Sequence, residues 1–253
     1  MDFLASDNTA LPDQADGLRR LFPSSRTRFI AVAANPDVAF AGLALERLAS
    51  ACAETERKVL VVDAVRGTPG EMAALELAAC IERFDDRLSY LAARGLPMRH
   101  VDARGSCENF LDALADAAPD AGVVIVHAEP GELGRMFARR APRPLLLAAD
   151  HPASVTAAYA NMKLLAQRFG LMAFDLLLVA AASSPRTQRI AEQIALTADR
   201  FAGAALHDWA AIDPAAVALP PRSLVRLARG LLADGGAPPP TSYAAAPRYQ
   251  AAR

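Results

Sequence analysis

Two stretches of this chain carry residues that could do chemistry. The first is Asp13-Gln14-Ala15-Asp16-Gly17-Leu18-Arg19-Arg20-Leu21-Phe22. Asp13 can cap a helix, because its carboxylate accepts an orphan backbone N–H, and Asp16 then sits favourably in the first turn. Leu18, Leu21 and Phe22 share one apolar face at i, i+3 and i+4. A helix this short is marginal in water, since isolated helices under about 12 residues rarely hold. It is expected to order in a partner's groove. The second stretch is the turn Ala34–Gly42, placed where a strand runs into a helix and where a phosphate would bind. A phosphate loop needs glycines that turn N–H groups inward, a Lys for the charge and Ser or Thr for magnesium. This turn has Asn35, then Pro36 without an N–H, Asp37 to repel phosphate and bulky Phe40; it has no Lys and no Thr. The cradle is expected to be filled in and unable to hold ATP in the usual manner.

Other polar residues promise less. His100, His127, His151 and His207 are dispersed, with no pairing that suggests a metal. Ser24-Ser25 and Ser183-Ser184-Pro185 lack the G-x-S-x-G frame of a nucleophile elbow and read as loop and cap chemistry. Cys52, Cys80 and Cys107 lack zinc-type spacing and suit a reducing cytoplasm. Cys52 and Cys80 lie in Ala-rich helical patterns, where a thiol behaves as a small hydrophobe.

The elements that must position these residues follow from hydrophobic patterning. Strands are expected at Phe29–Ala33, Lys58–Asp63, Val123–Val126, Pro144–Ala148 and Phe174–Val179, with a short one at Ala204–Leu206. Helices are expected at Gly42–Thr55, Glu71–Phe84, Ser106 (as cap) to Ala117, Glu132–Arg140, Ala153–Phe169, Thr187–Phe201 and Ser223–Leu232. Strands this apolar need cover on both faces, so the alternation predicts an α/β fold with a doubly wound, mostly parallel sheet flanked by helices. At 253 residues the chain suffices for one such domain over residues 27–232. Residues 1–26 form the partner-binding segment and residues 233–253 a Pro/Ala-rich tail expected to be flexible.

Composition narrows the function. A net charge of −1 argues against a general nucleic-acid binder. No run approaches about 18 uncharged apolar residues, and the first twenty residues have no apolar segment, so neither a membrane span nor a secretory signal is expected. Leu224, Leu227, Ala228 and Leu231 form a stripe beside Arg222, Arg226 and Arg229. The stripe suits packing on the sheet better than lying on an anionic membrane, leaving peripheral contact at most. Trp209 is expected at a core edge or an interface.

These motifs resemble the MinD/ParA class of deviant-Walker ATPases, over roughly residues 13–232, and within it FlhG (FleN), the flagellar regulators. The loop GKGGVGKT of the class aligns without gaps on Asn35–Gly42. Its signature lysine falls on Pro36, its P-loop lysine on Ala41 and its magnesium-binding Thr on Gly42. The DxD motif retains Asp63 but has Val65 at its second position, and the Walker B aspartate falls on His127. Ala180-Ala181-Ala182 occupies the base-binding Asn region, and Ala149–Leu165 is similar to the segment TPEPTSITDAYALIKVL. The DQAxxLR signature of FlhG is matched by Asp13-Gln14-Ala15-Asp16-Gly17-Leu18-Arg19.

The resemblance implies a pseudo-ATPase with no cofactor, ATP and magnesium entering only if the loop supplies contacts of another kind. It implies an FlhF-like GTPase of the signal-recognition type as partner, with Gln14 orienting water and Arg19 pairing with acidic or phosphate groups. Flagellar transcription regulators or switch proteins are further partners it suggests. The location it implies is cytoplasmic, with recruitment to the cell pole or inner membrane face. Two other readings remain open: an ATPase switch with an atypical loop, and a scaffold for pilus or cell-pole assembly.

Overall fold

The computed structural model describes residues 27–55, 57–65, 76–140, 142–216 and 219–234. The segment Asp13–Phe22 and nearly all of the expected tail lie outside them. Among the described residues the chain forms an eight-stranded sheet in the order β3-β4-β2-β5-β1-β6-β7-β8. The strands are β1 (Arg28–Ala33), β2 (Val59–Asp63), β3 (Glu82–Arg83), β4 (Leu88–Ala92), β5 (Val123–Ala128), β6 (Leu145–Ala149), β7 (Ala173–Val179) and β8 (Ala205–Ile212). Only β3 runs antiparallel to its neighbour. The helices are α1 (Ala41–Ala53), α2 (Glu108–Ala117), α3 (Pro130–Met136), α4 (Pro152–Phe169), α5 (Pro185–Thr197) and α6 (Arg222–Asp234). The expected doubly wound parallel sheet is present.

The sheet divides the core in two. One face is covered by α1 and α6, with Leu45, Leu48 and Cys52 meeting Leu224 and Leu227 over Val32, Ile125 and Leu147. The other is covered by α2, α3, α4 and α5, with Phe110, Leu133, Met162 and Ile194 over Val124, Leu146 and Leu176. Central strands β5 and β6 are buried at every position, as their uninterrupted apolar runs require. The stripe on α6 is fully part of this core. Cys52 is buried and its thiol is pushed up to about 12, so it is an inert hydrophobe; Cys80 is half-buried.

Several boundaries differ from expectation. The helix expected over Glu71–Phe84 is absent from its described part: Leu77–Cys80 is a 3-10 turn, and Glu82–Arg83 pairs with the unanticipated β4. Asp85 is the cause. Its carboxylate accepts from both Arg87 N and Leu88 N at 2.7 Å, and that local bond turns the chain back on itself. Strand β8 extends six residues beyond the expected Leu206, to Ile212. Helix α3 stops at Met136 instead of Arg140, and α5 passes at Thr197 into a π-helical turn, Ala198–Ala202. The Ser106 hydroxyl does accept an orphan N–H, from Glu108 at 3.2 Å. Trp209 sits on β8, a sheet-edge strand, half-buried against the core.

Candidate functional site

The turn after β1 lies at the carboxyl edge of the sheet, between β5 and β6. Its backbone closes on itself. Asp37 N–H donates to Asn35 Oδ1 at 3.0 Å, and Val38 N–H to the Asn35 carbonyl at 3.1 Å. Ala41 N–H donates to the Val38 carbonyl, and Pro36 has no N–H to offer. Val38 is buried in the core, and Gly42 keeps an ordinary negative-side φ, so no left-handed glycine opens an anion nest.

Asn35 clamps this turn to the next unit of the fold. Its amide Nδ2 donates to the Leu147 carbonyl at 2.8 Å and the Ser154 carbonyl at 2.9 Å. Ser154, fully buried, accepts Ala149 N–H on its hydroxyl at 2.7 Å. Asn161 on α4 donates to the Ala34 carbonyl at 2.8 Å. His151 caps α4 through Nδ1, which accepts from Ser154 N–H, leaving Nε2 to donate to the Asp37 carbonyl at 2.8 Å. Sequence reading had given no role to His151, Ser154 or Asn161; only their adjacency in space reveals it.

Asp63 and His127 close the ends of neighbouring strands and are direct partners in the β2–β5 register. His127 Nδ1 donates to Asp63 Oδ1 at 3.1 Å. Tyr90 on β4 reaches Asp63 Oδ2 at 3.4 Å, and the exposed Arg94 stands 4.0 Å from the same oxygen. Burial alone would raise the Asp63 carboxyl. The His127 bond and charge, the Val65 N–H and Arg94 outweigh it and hold its pKa below the ordinary carboxylate value. The carboxylate therefore stays ionised at neutral pH. Val65 lines the adjoining space without a polar group to add.

That space is a correction to the sequence reading. The cradle is not filled: a cavity of about 820 Å³ adjoins the turn, running from Pro36 and Gly42 past Asp63 and His127 to Leu88 and Tyr90. Phe40 is exposed and does not block it. Ala41 and Gly42 contribute only small, uncharged surface. A magnesium-bound triphosphate needs convergent N–H groups, a lysine and a hydroxyl. The turn spends three N–H groups internally and supplies neither side chain, so the residues present do not fit that ligand. What changed is the chemistry of the walls, not the available volume.

The fold is that of the MinD/ParA-type P-loop NTPases. Among solved structures, the chain is similar to cobyrinic acid a,c-diamide synthase from Mycobacterium smegmatis (19% identity, 81% of this chain and 94% of that one, TM-score 0.55). MinD in the MinC:MinD complex of Aquifex aeolicus gives a TM-score of 0.57 at 12% identity, covering 82% and 96%. A ParA family ATPase from Chlorobium tepidum TLS gives 0.51 at 13%, covering 81% and 99%. The Mycobacterium protein has also been solved with ADP and magnesium. No protein-family model matches the sequence, and no curated protein matches it. Among the described residues no helix is long and apolar enough to cross a membrane.

Proposed function

We propose that this chain is an FlhG-like regulator of flagellar number or placement that works by protein contact, its own nucleotide site having lost function. The observation that carries the reading is the inward closure of the Asn35–Gly42 turn, whose Asp37, Val38 and Ala41 N–H groups are bonded within the turn or to Asn35. A chain that keeps this fold without the phosphate contacts retains a surface for partners. The DQAxxLR segment supplies the partner: an FlhF-like GTPase of the signal-recognition type, with Gln14 positioning the attacking water as a GTPase-activating protein does. Leu18, Leu21 and Phe22 seat the helix, and Arg19 pairs with an acidic group or phosphate. Flagellar transcription or switch proteins are secondary partners in this reading, with the site of action at the cytoplasmic face of the cell pole.

Calorimetric titration of the full chain with ATP and magnesium is expected to give no heat of binding. Gln14→Ala is expected to abolish stimulation of the cognate GTPase, a loss on the order of 10³-fold or more if the glutamine supplies a full activating contact. Micromolar ATP affinity, or stimulation unchanged by Gln14→Ala, overturns the respective half of the proposal. A second reading, an ATPase switch with an atypical loop, draws support from the open cavity and from the nucleotide-bound neighbour. Hydrolysis abolished by Asp63→Ala would favour it.

A further inference from the structure

The cavity beside the turn combines three features that a phosphate site does not have. Its walls include the apolar side chains of Val38, Leu45, Val61 and Leu88. Its charges are mostly negative, since Asp63, Glu46 and Glu129 line it against Arg94. Its floor holds incompletely used polar atoms. Asp63 Oδ1 is engaged by His127 and by Val65 N–H. Among the described residues, Asp63 Oδ2 has only the 3.4 Å contact to Tyr90 and Arg94 at 4.0 Å, both long for the oxygen of an ionised carboxylate. His127, whose side chain is 9% exposed, lines the same cavity, and its Nε2 is buried with no hydrogen-bond partner among the described residues. At the outer margin the rings of Phe84 and Tyr90 lie 6.1 Å apart at 47°, offering π faces to a cation or an apolar body.

We propose that this cavity binds a small organic cation, an ammonium or guanidinium head carried on an apolar body, with the head on Asp63 Oδ2 and the body against Val38, Leu45 and Leu88. The volume falls within the range of about 300–1,000 Å³ usual for small-molecule sites. The carboxylates that repel a triphosphate attract this head, and the ligand displaces Arg94, which is loosely held and half in solvent. The site stands whether or not residues 13–22 engage a GTPase.

Three probes with one indole-ethyl body test the charge requirement on the full-length chain by ligand-observed NMR: tryptamine, tryptophol and indole-3-propionate. Tryptamine is expected to bind about tenfold more tightly than tryptophol, and indole-3-propionate most weakly. Asp63→Asn should erase that order. Arg94→Ala, at an exposed residue, should tighten tryptamine about threefold by removing the competing cation, and it answers the question even where Asp63→Asn fails to fold. Equal affinities for the three probes, no binding at about 5 mM, or an Arg94→Ala variant that binds tryptamine less well would each overturn the proposal.

Discussion

Asn35→Gly is expected to lower stability by about 3–4 kcal/mol, although glycine is the residue that a working phosphate loop carries at this place. The variant loses two donated bonds, to the Leu147 and Ser154 carbonyls, and the bond accepted from Asp37 N–H. Each is worth about 1 kcal/mol net, and more where the abandoned partner stays buried. Glycine adds backbone entropy to the unfolded chain, roughly a further 0.5–1 kcal/mol. For a domain of this size the sum corresponds to a fall of about 10 °C in Tm. Asn35→Asp separates the two halves of the clamp. It keeps the acceptor for Asp37 but sets a carboxylate against two carbonyls, so it should be at least as damaging. Thermal and urea unfolding of both variants measure this. A Tm within about 2 °C of the parent for both would show that the turn holds its shape without the clamp.

Arg143→Ala should cost about as much or more, roughly 3–5 kcal/mol, because it strands a charge. Asp175 on β7 is completely buried; Arg143 Nε donates to its Oδ2 at 2.5 Å, and Asp208 N–H donates to its Oδ1 at 3.0 Å. His207 Nδ1 lies 3.6 Å from that second oxygen. Burial pushes the Asp175 carboxyl above its ordinary value, and Arg143 and His207 offset only part of the rise. The native state therefore binds a proton more tightly than the unfolded chain does. Stability falls as pH rises from the unfolded value, about 3.9, through the raised native one, and is level above it. Without Arg143 the strongest opposing charge is gone and the window extends upward. The defect of Arg143→Ala should thus be greatest near pH 8 and shrink on acidification towards pH 5. The double variant Arg143→Met, Asp175→Leu should recover most of the loss, since the pair is replaced by apolar volume. A defect that is independent of pH would remove Asp175 ionisation as its cause.

Where burial was two-sided, the sequence announced the structure. Val123–Val126 and Leu176–Val179 are apolar throughout because helices cover both faces, and no helix period fits them. Strand β4 gave no such signal: of Leu88–Ala92 only Leu91 is fully buried, and it exists because the Asp85 turn presents it to β2. Strand β8 extends past its apolar signal for a related reason: His207 and Asp208 interrupt the run, His207 lying beside Asp175 and the Asp208 carboxylate binding Arg226. At the site, the missing lysine, hydroxyl and glycines of the turn were legible as residue types. Its closure was not, because Asn35 reaches partners more than a hundred residues away. The pairing of His127 with Asp63 likewise depends on the register of two strands 64 residues apart.

The outermost strand on the α6 side bears on how the protein behaves in bulk. Among the described residues β8 pairs on one flank only, and an eight-residue strand open on the other flank is a template on which another chain can add itself. Here Trp209, at its middle, has both main-chain groups taken by side chains: its N–H by Asp208 at 2.8 Å and its carbonyl by Arg226 at 3.1 Å. Arg226 is fixed in turn by a two-pronged bond to Asp208. A single arginine on α6 thus occupies the middle of that flank and obstructs the addition of another strand there, far from the turn after β1.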